Sequence, residues 1–179
     1  MPGRRNAPRL LVQSYGVYWQ KDQVAWNTAR KPSGGGVIKR GLWGRRTRKQ
    51  RTPKVNFWPQ VGIYILYNSA FEPIYSGQGK IGSRLHSHFH NPWLGRKWVY
   101  FSWFGLKRLN VAGTDLLKSK KHYGATAEVV LDTLEAVLIA VGARTENKQG
   151  PRLHSATRFF QVEAPERGPL RRRRRRTSR

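Results

Sequence analysis

The sequence predicts an α+β domain, and three observations carry that expectation. Val61 to Tyr67 is continuously apolar or aromatic, with Asn68-Ser69 as turn material and a second strand-like stretch around Pro73 to Tyr75, which together read as a β-hairpin. Ile81, Leu85 and Phe89 recur at helical spacing within Ile81 to His90, and Asn91-Pro92 supplies the stop. A third strand at Val99 to Phe104 is followed by a long apolar helix from about residue 127 to 141. The order is hairpin, helix, strand, long helix, with a basic N-terminal extension before it and a disordered Arg-rich tail after it.

In the extension, Leu10 to Trp19 and Val24 to Trp26 are rich in β-branched and aromatic residues and read as a small hairpin. From Lys31 to Lys54 the chain changes character, with Pro32, the Gly34-Gly35-Gly36 run and a basic stretch containing Arg45, Arg46, Arg48, Lys49 and Arg51, interrupted by Leu42 and Trp43. That composition reads as a mobile basic loop. For the long helix, Thr126 is a suitable N-cap, Glu128 complements the helix dipole and Gly142 offers a C-terminal stop. Arg171 to Arg176 is an unbroken Arg run that has nothing to bury and is expected to be disordered. The expected division is an extension over 1–60, a central domain over 61–165 and a tail over 166–179.

Charge points to the partner. The chain of 179 residues has 35 Lys and Arg against nine Asp and Glu, a net charge of +26. Residues 1–60 hold 14 bases and one acid, 61–170 hold 14 and eight, and 171–179 hold seven and none. A surface of this kind binds a polyanion, and neutralising phosphates releases counterions, so nucleic acid is the expected partner. A basic structural protein would carry the same charge. There is no Cys, which excludes disulfides, thiolate metal sites and a thiol nucleophile. No apolar run reaches the roughly 20 residues of a membrane span and no secretory signal is visible, so the expectation is no membrane and an intracellular, cytoplasmic location.

Within the centre, Tyr64 and Tyr75 lie on the paired strands, Arg84 and His88 on the first helix, and Glu135 on the long helix. Tyrosines in strands are commonly packing residues. Arg84 and His88 are four residues apart, so they share a helix face; they could present a cation and a proton-transfer group to one phosphate, or form a solvated face. Glu128, Asp132 and Glu135 make one acidic stripe, which is either solvated or a site for a hard divalent cation. His86 and His90 also share a face and could ligate zinc, with His88 alternating between them, but further ligands from His122, His154 or a carboxylate would be needed.

Gly62-Ile63-Tyr64, then Tyr75-Ser76-Gly77 eleven residues after the first Tyr, then Arg84, His88 and Glu135 in order resemble the GIY-YIG nuclease superfamily. The likeness runs from Val61 to Asn147, with Ser76 standing where the family's second motif usually has Ile. The resemblance implies a small antiparallel three-stranded sheet flanked by helices. It also implies a metal-dependent endonuclease that hydrolyses the phosphodiester backbone of DNA by a one-metal mechanism. In that mechanism Glu135 binds magnesium or manganese, Arg84 stabilises charge on the phosphate, and Tyr64 deprotonates or orients the attacking water. Tyr64, with an ordinary pKa near 10, needs a proton acceptor, for which His88 is suited. Tyr75 joins the hydrogen-bond network, and Lys80 contacts phosphate or stabilises a phenolate. An Asn after the catalytic helix is a family feature to which Asn147 corresponds.

The basic residues Arg45, Arg46, Arg48, Lys49 and Arg51 are expected to bind nucleic acid without regard to sequence. Trp19, Trp26 and Trp43, mixed with bases, suggest stacking on unpaired nucleotides. Two other functions fit the same chain: a non-catalytic nucleic-acid-binding protein on the same fold, and a toxin or effector nuclease held by an inhibitor protein.

Overall fold

The protein is described by a computed structural model that covers residues 11–27, 29–30, 37–38, 40–47 and 52–117, single helical positions between 129 and 141, Leu153, and 156–162. The central hairpin forms as its sequence dictates. Strand β6 (Val61–Tyr67) pairs antiparallel with β7 (Pro73–Lys80), and Tyr64 stands opposite Gly77 in the register. Its other edge pairs antiparallel with β8 (Tyr100–Gly105), placing Tyr64 opposite Trp103. Helix α1 (Ile81–His90) follows β7 without an intervening loop and ends at Asn91, whose backbone N–H donates to the His88 carbonyl.

The expected fold class, a three-stranded sheet flanked by helices with an N-terminal appendage, is not what the chain adopts. The main sheet has five strands in the order β7-β6-β8-β1-β9. Strand β1 (Ser14–Gln20) comes from the segment assigned to the appendage and pairs antiparallel with β8, while β9 (Thr157–Arg158) runs parallel to β1. A three-stranded sheet, ordered β10-β4-β5, is built from β4 (Trp43–Arg45), β5 (Val55–Asn56) and β10 (Phe160–Gln161), and the short strands β2 (Ala29–Arg30) and β3 (Val37–Ile38) pair with each other. Only α1 forms an uninterrupted helix among the described residues. Val129, Thr133, Leu134, Val137, Leu138, Ala140 and Val141 are helical too, within the span expected to form the long helix.

The reason for the larger sheet lies in β8. With Phe101, Trp103 and Phe104 fully buried, β8 is apolar on both faces, and an open edge would leave its backbone groups unpaired. Strand β1 covers that edge. It brings Tyr15 opposite Phe104, with rings stacked at 6.0 Å, and Trp19 opposite Phe101, with ring centroids 6.0 Å apart. The hairpin expected between Leu10–Trp19 and Val24–Trp26 does not form, because β1 takes this distant partner and Ala25 bridges Gly41 instead. A bulge between Gly16 and Trp19 puts Tyr18 at φ 53, and the Tyr18 N–H is satisfied by Ser102 Oγ at 3.1 Å.

Both sheet faces are covered. One carries Tyr64, Leu66, Phe101, Trp103 and Trp19, packed with Ile81 and Leu85 of α1 and with Leu42, Val55 and Phe57 from around the second sheet. The other carries Ile65, Tyr67 and Phe104, packed with Val137 and Leu153. The unbroken apolar run of β6 follows from this two-sided burial.

One polar residue ties these parts together. Gln60 is fully buried at the entrance to β6, and its Nε2 donates to Ser14 Oγ of β1 and to the Lys107 carbonyl, both at 3.1 Å. Its Oε1 accepts from Val61 N and Lys107 N at 2.9 Å, and its carbonyl accepts from the first N–H of α1, at Ile81, at 2.8 Å.

Candidate active site

The strand-to-helix junction places the site. Gly79, at φ +118, turns the chain just before α1, a conformation that L side chains rarely adopt. The helix then docks through Ile81, Gly82 and Leu85. Gly82 lies tight against Trp58, since a Cβ there would sit 2.5 Å from Trp58 Cδ2. With that face fixed, Arg84 and His88 project from another side of α1, next to the tyrosines of β6 and β7.

Tyr64 is fully buried, and its hydroxyl lies 2.7 Å from His88 Nε2. The Arg84 guanidinium and the Tyr75 hydroxyl lie close enough to act on this hydroxyl electrostatically. The rings form a compact set, with Tyr75 and His88 centroids 4.6 Å apart and Tyr64 and Tyr75 centroids 6.3 Å apart with planes at 24°. Gly77 makes room for the hydroxyl, because a Cβ on Gly77 would collide with Tyr64 Oη.

The contact suits proton transfer: His88 Nε2 can take the Tyr64 proton when the ring carries its own proton on Nδ1, and the Arg84 guanidinium, a donor only, brings positive charge near the same oxygen. That arrangement requires a neutral imidazole. Burial, and then the Arg84 charge, push the His88 pKa below its ordinary value, which favours the neutral ring. Burial raises the Tyr64 pKa, opposed by the nearby Arg84 cation, so Tyr64 is a neutral phenol at rest. Its oxygen touches a base that can take its proton and lies near a cation that stabilises added negative charge.

Of the residues singled out in the sequence, Tyr64, Tyr75, Arg84 and His88 therefore come together. Glu135 lies outside the described residues, as do Glu128, Asp132, His122, His154, Asn147, Arg48, Lys49, Arg51 and the Arg tail. Lys80 is exposed at the end of β7, in the N-cap position of α1. Arg45 sits on strand β4 rather than in a loop, and Arg46 lies beside the turn at Gly113, where a Cβ would come 2.9 Å from its Nη2. The stacking tryptophans expected from the sequence are placed otherwise: Trp19 and Trp26 belong to the core and Trp43 is half-buried.

His86 and His90 do meet, with Nε2 atoms 3.1 Å apart. Among the described residues no group of three His, Asp or Glu side chains converges as a metal site. The Tyr64 cluster offers a phenol, an imidazole and a guanidinium, and a hard divalent cation needs an anionic oxygen donor that these do not supply. The described residues thus fit proton transfer beside an anion and do not by themselves fit a metal. Gln60, and the part that Gly77 of the second motif plays in making room for the hydroxyl, were missed by sequence reasoning. Gly77 had a signal in its position two residues after Tyr75, whereas Gln60 had none, because its four partners are distant or backbone groups. No helix among the described residues is long and apolar enough to cross a membrane.

The chain matches no protein-family model, no curated protein and no solved structure.

Proposed function

We propose that this protein is a metal-dependent endonuclease that hydrolyses phosphodiester bonds of DNA with a GIY-YIG-type catalytic set carried on a larger sheet. One observation carries the reading: Tyr64 Oη lies 2.7 Å from His88 Nε2, with the Arg84 guanidinium close enough to act on the same oxygen. Packing alone does not call for a buried phenol with a base in contact and an exposed guanidinium nearby. The net charge of +26 adds the affinity for a phosphate backbone.

In this reading, water attacks phosphorus and gives its proton to Tyr64 Oη as the Tyr64 proton passes to His88 Nε2. A P–O bond to water forms, the ester P–O bond breaks, and the leaving oxygen takes a proton from solvent. Arg84, permanently charged and forked, donates to the phosphoryl oxygens as negative charge accumulates on them. Tyr75 holds the Tyr64 ring and hydroxyl in register. Magnesium or manganese, with Glu135 as the anionic donor, would supply Lewis-acid polarisation of the phosphate. Lys80, Arg45, Arg46, Arg48, Lys49 and Arg51 belong to the surface that holds the backbone. An intracellular location follows from this substrate.

The test is cleavage of supercoiled, linear and single-stranded DNA by the wild type, Glu135→Ala and Arg84→Ala, with magnesium, manganese or EDTA. Metal-dependent cutting that both substitutions abolish, with DNA binding retained, supports the reading. Tight, salt-sensitive binding with no cutting on any substrate assigns the chain to non-catalytic nucleic-acid binding.

A further inference from the structure

Among the large apolar side chains described, Trp93 stands out because it is a tryptophan left 68% exposed. Trp19, Trp26, Trp98 and Trp103 are all buried. A single exposed apolar residue is ordinary, so the setting has to carry the case.

The turn that presents Trp93 is rigid. Asn91 Oδ1 accepts from Trp93 N at 3.0 Å and from Leu94 N at 2.7 Å, and the Asn91 carbonyl accepts from Gly95 N at 2.8 Å. Leu94, next in sequence, is buried and pins the turn to the core. Gly95 packs so closely that a Cβ would lie 2.5 Å from the Phe89 carbonyl and 2.7 Å from that of Asn91. From the far side, Lys21 Nζ donates to the Gly95 carbonyl at 3.0 Å and to the Trp98 carbonyl at 2.7 Å. The indole is held out by a braced backbone.

It is also paired with a cation. Lys97 Nζ stands 3.7 Å from the centroid of the Trp93 ring, Lys97 and Arg96 are both exposed, and no acidic residue lies between His90 and Gly105. Lys97 occupies one face of a flat aromatic surface, and a nucleobase stacks on such a surface whatever its sequence while the cations meet the adjoining phosphates. Trp93 is five residues beyond His88, so its Cα lies within about 18 Å of that of His88 by chain length alone, the span of a few nucleotides.

Resting on the nucleic-acid reading above, we infer that Trp93, with Lys97 and Arg96, is a stacking site for an unpaired nucleotide, which makes single-stranded or branched DNA the preferred substrate. In duplex DNA the bases stack on each other and offer the indole no face, so the site discriminates by strand state.

The experiment measures binding of the full-length protein to a thymidine oligomer of about 15 nucleotides, within the range of single-strand site sizes, and to a duplex of equal length, by fluorescence anisotropy. The wild type is compared with Trp93→Ala and Trp93→Phe, with thermal melting as a check of folding. The inference expects Trp93→Ala to weaken single-strand binding about tenfold with duplex affinity unchanged, and Trp93→Phe to recover most of the loss. Equal losses on both ligands, or no loss on either, overturn it and leave the nucleic-acid reading standing. Failure of the wild type to bind either ligand overturns both.

Discussion

Tyr64 is the residue on which the proposed chemistry turns. Tyr64→Phe keeps the buried ring and removes only the oxygen that bonds His88 and feels the Arg84 charge, so it separates packing from chemistry. DNA cleavage should fall about 10²- to 10⁴-fold, the range for loss of a proton-transfer group. Thermal or denaturant unfolding should register no more than about 1.5 kcal/mol for the lost hydrogen bond. His88 sets the pH dependence. Its pKa is lowered by burial and by Arg84, so the neutral, proton-accepting form already dominates at the ordinary histidine value of about 6.5 and is lost only at lower pH. Cleavage should therefore be flat across neutral pH and decline on an acid limb lying below about 6.5, measured as kcat/KM against pH. His88→Gln should remove that limb together with most of the activity; an unchanged limb would assign it to another group.

At the scale of elements, β6, β7 and α1 form one unit that aims the site, and glycine sets how closely they approach. Gly77 faces Tyr64 across the β6–β7 ladder, and Gly77→Ala would drive a methyl group into the Tyr64 hydroxyl. The expected outcome is a stability loss of about 1–3 kcal/mol from overpacking, together with a loss of cleavage larger than that of binding. Denaturant unfolding measured beside cleavage and binding assays checks both parts. These elements were legible because their signals are local: β6 as an apolar run, α1 from Ile81, Leu85 and Phe89, and the helix stop at Asn91. Gly77 is part of the Tyr75-Ser76-Gly77 motif, but its role of clearing space for a hydroxyl on the neighbouring strand becomes visible only when the strands are paired.

Across the whole molecule, the five-stranded sheet is closed by contacts between distant parts of the chain, and Gln60 joins them. Gln60→Leu removes two donors and an acceptor site, leaving Ser14 Oγ and the Lys107 and Val61 backbone groups without these partners. Unfolding free energy should drop by about 3 kcal/mol, as expected when buried polar groups lose their partners. The Gln60 carbonyl, which the substitution keeps, receives the first N–H of α1, so freeing the residue from its side-chain anchors should loosen the junction that carries the site, seen as faster amide exchange at Ile81 and Gly82. The same long-range closure explains why β1 was misread. Its strand character was plain from Tyr15, Val17, Tyr18 and Trp19, but its partner β8 lies far along the chain, as Ser14 pairs with Gly105, 91 residues onward.

The sequence by itself determined the central local units and their order, the apolar run of β6, and the spacing that puts Arg84 and His88 on one helix face, since all of these follow from patterns along a short stretch of chain. It also marked Tyr64, Tyr75, Arg84 and His88 as one set through their resemblance to a nuclease motif. Tertiary structure alone decided that the sheet has five strands, that Trp19 and Trp26 are core while Trp93 is exposed, and that the Tyr64 hydroxyl meets His88. Those outcomes depend on which buried edge finds which partner, a choice made by nonlocal burial of apolar surface and pairing of backbone groups that no window of sequence contains.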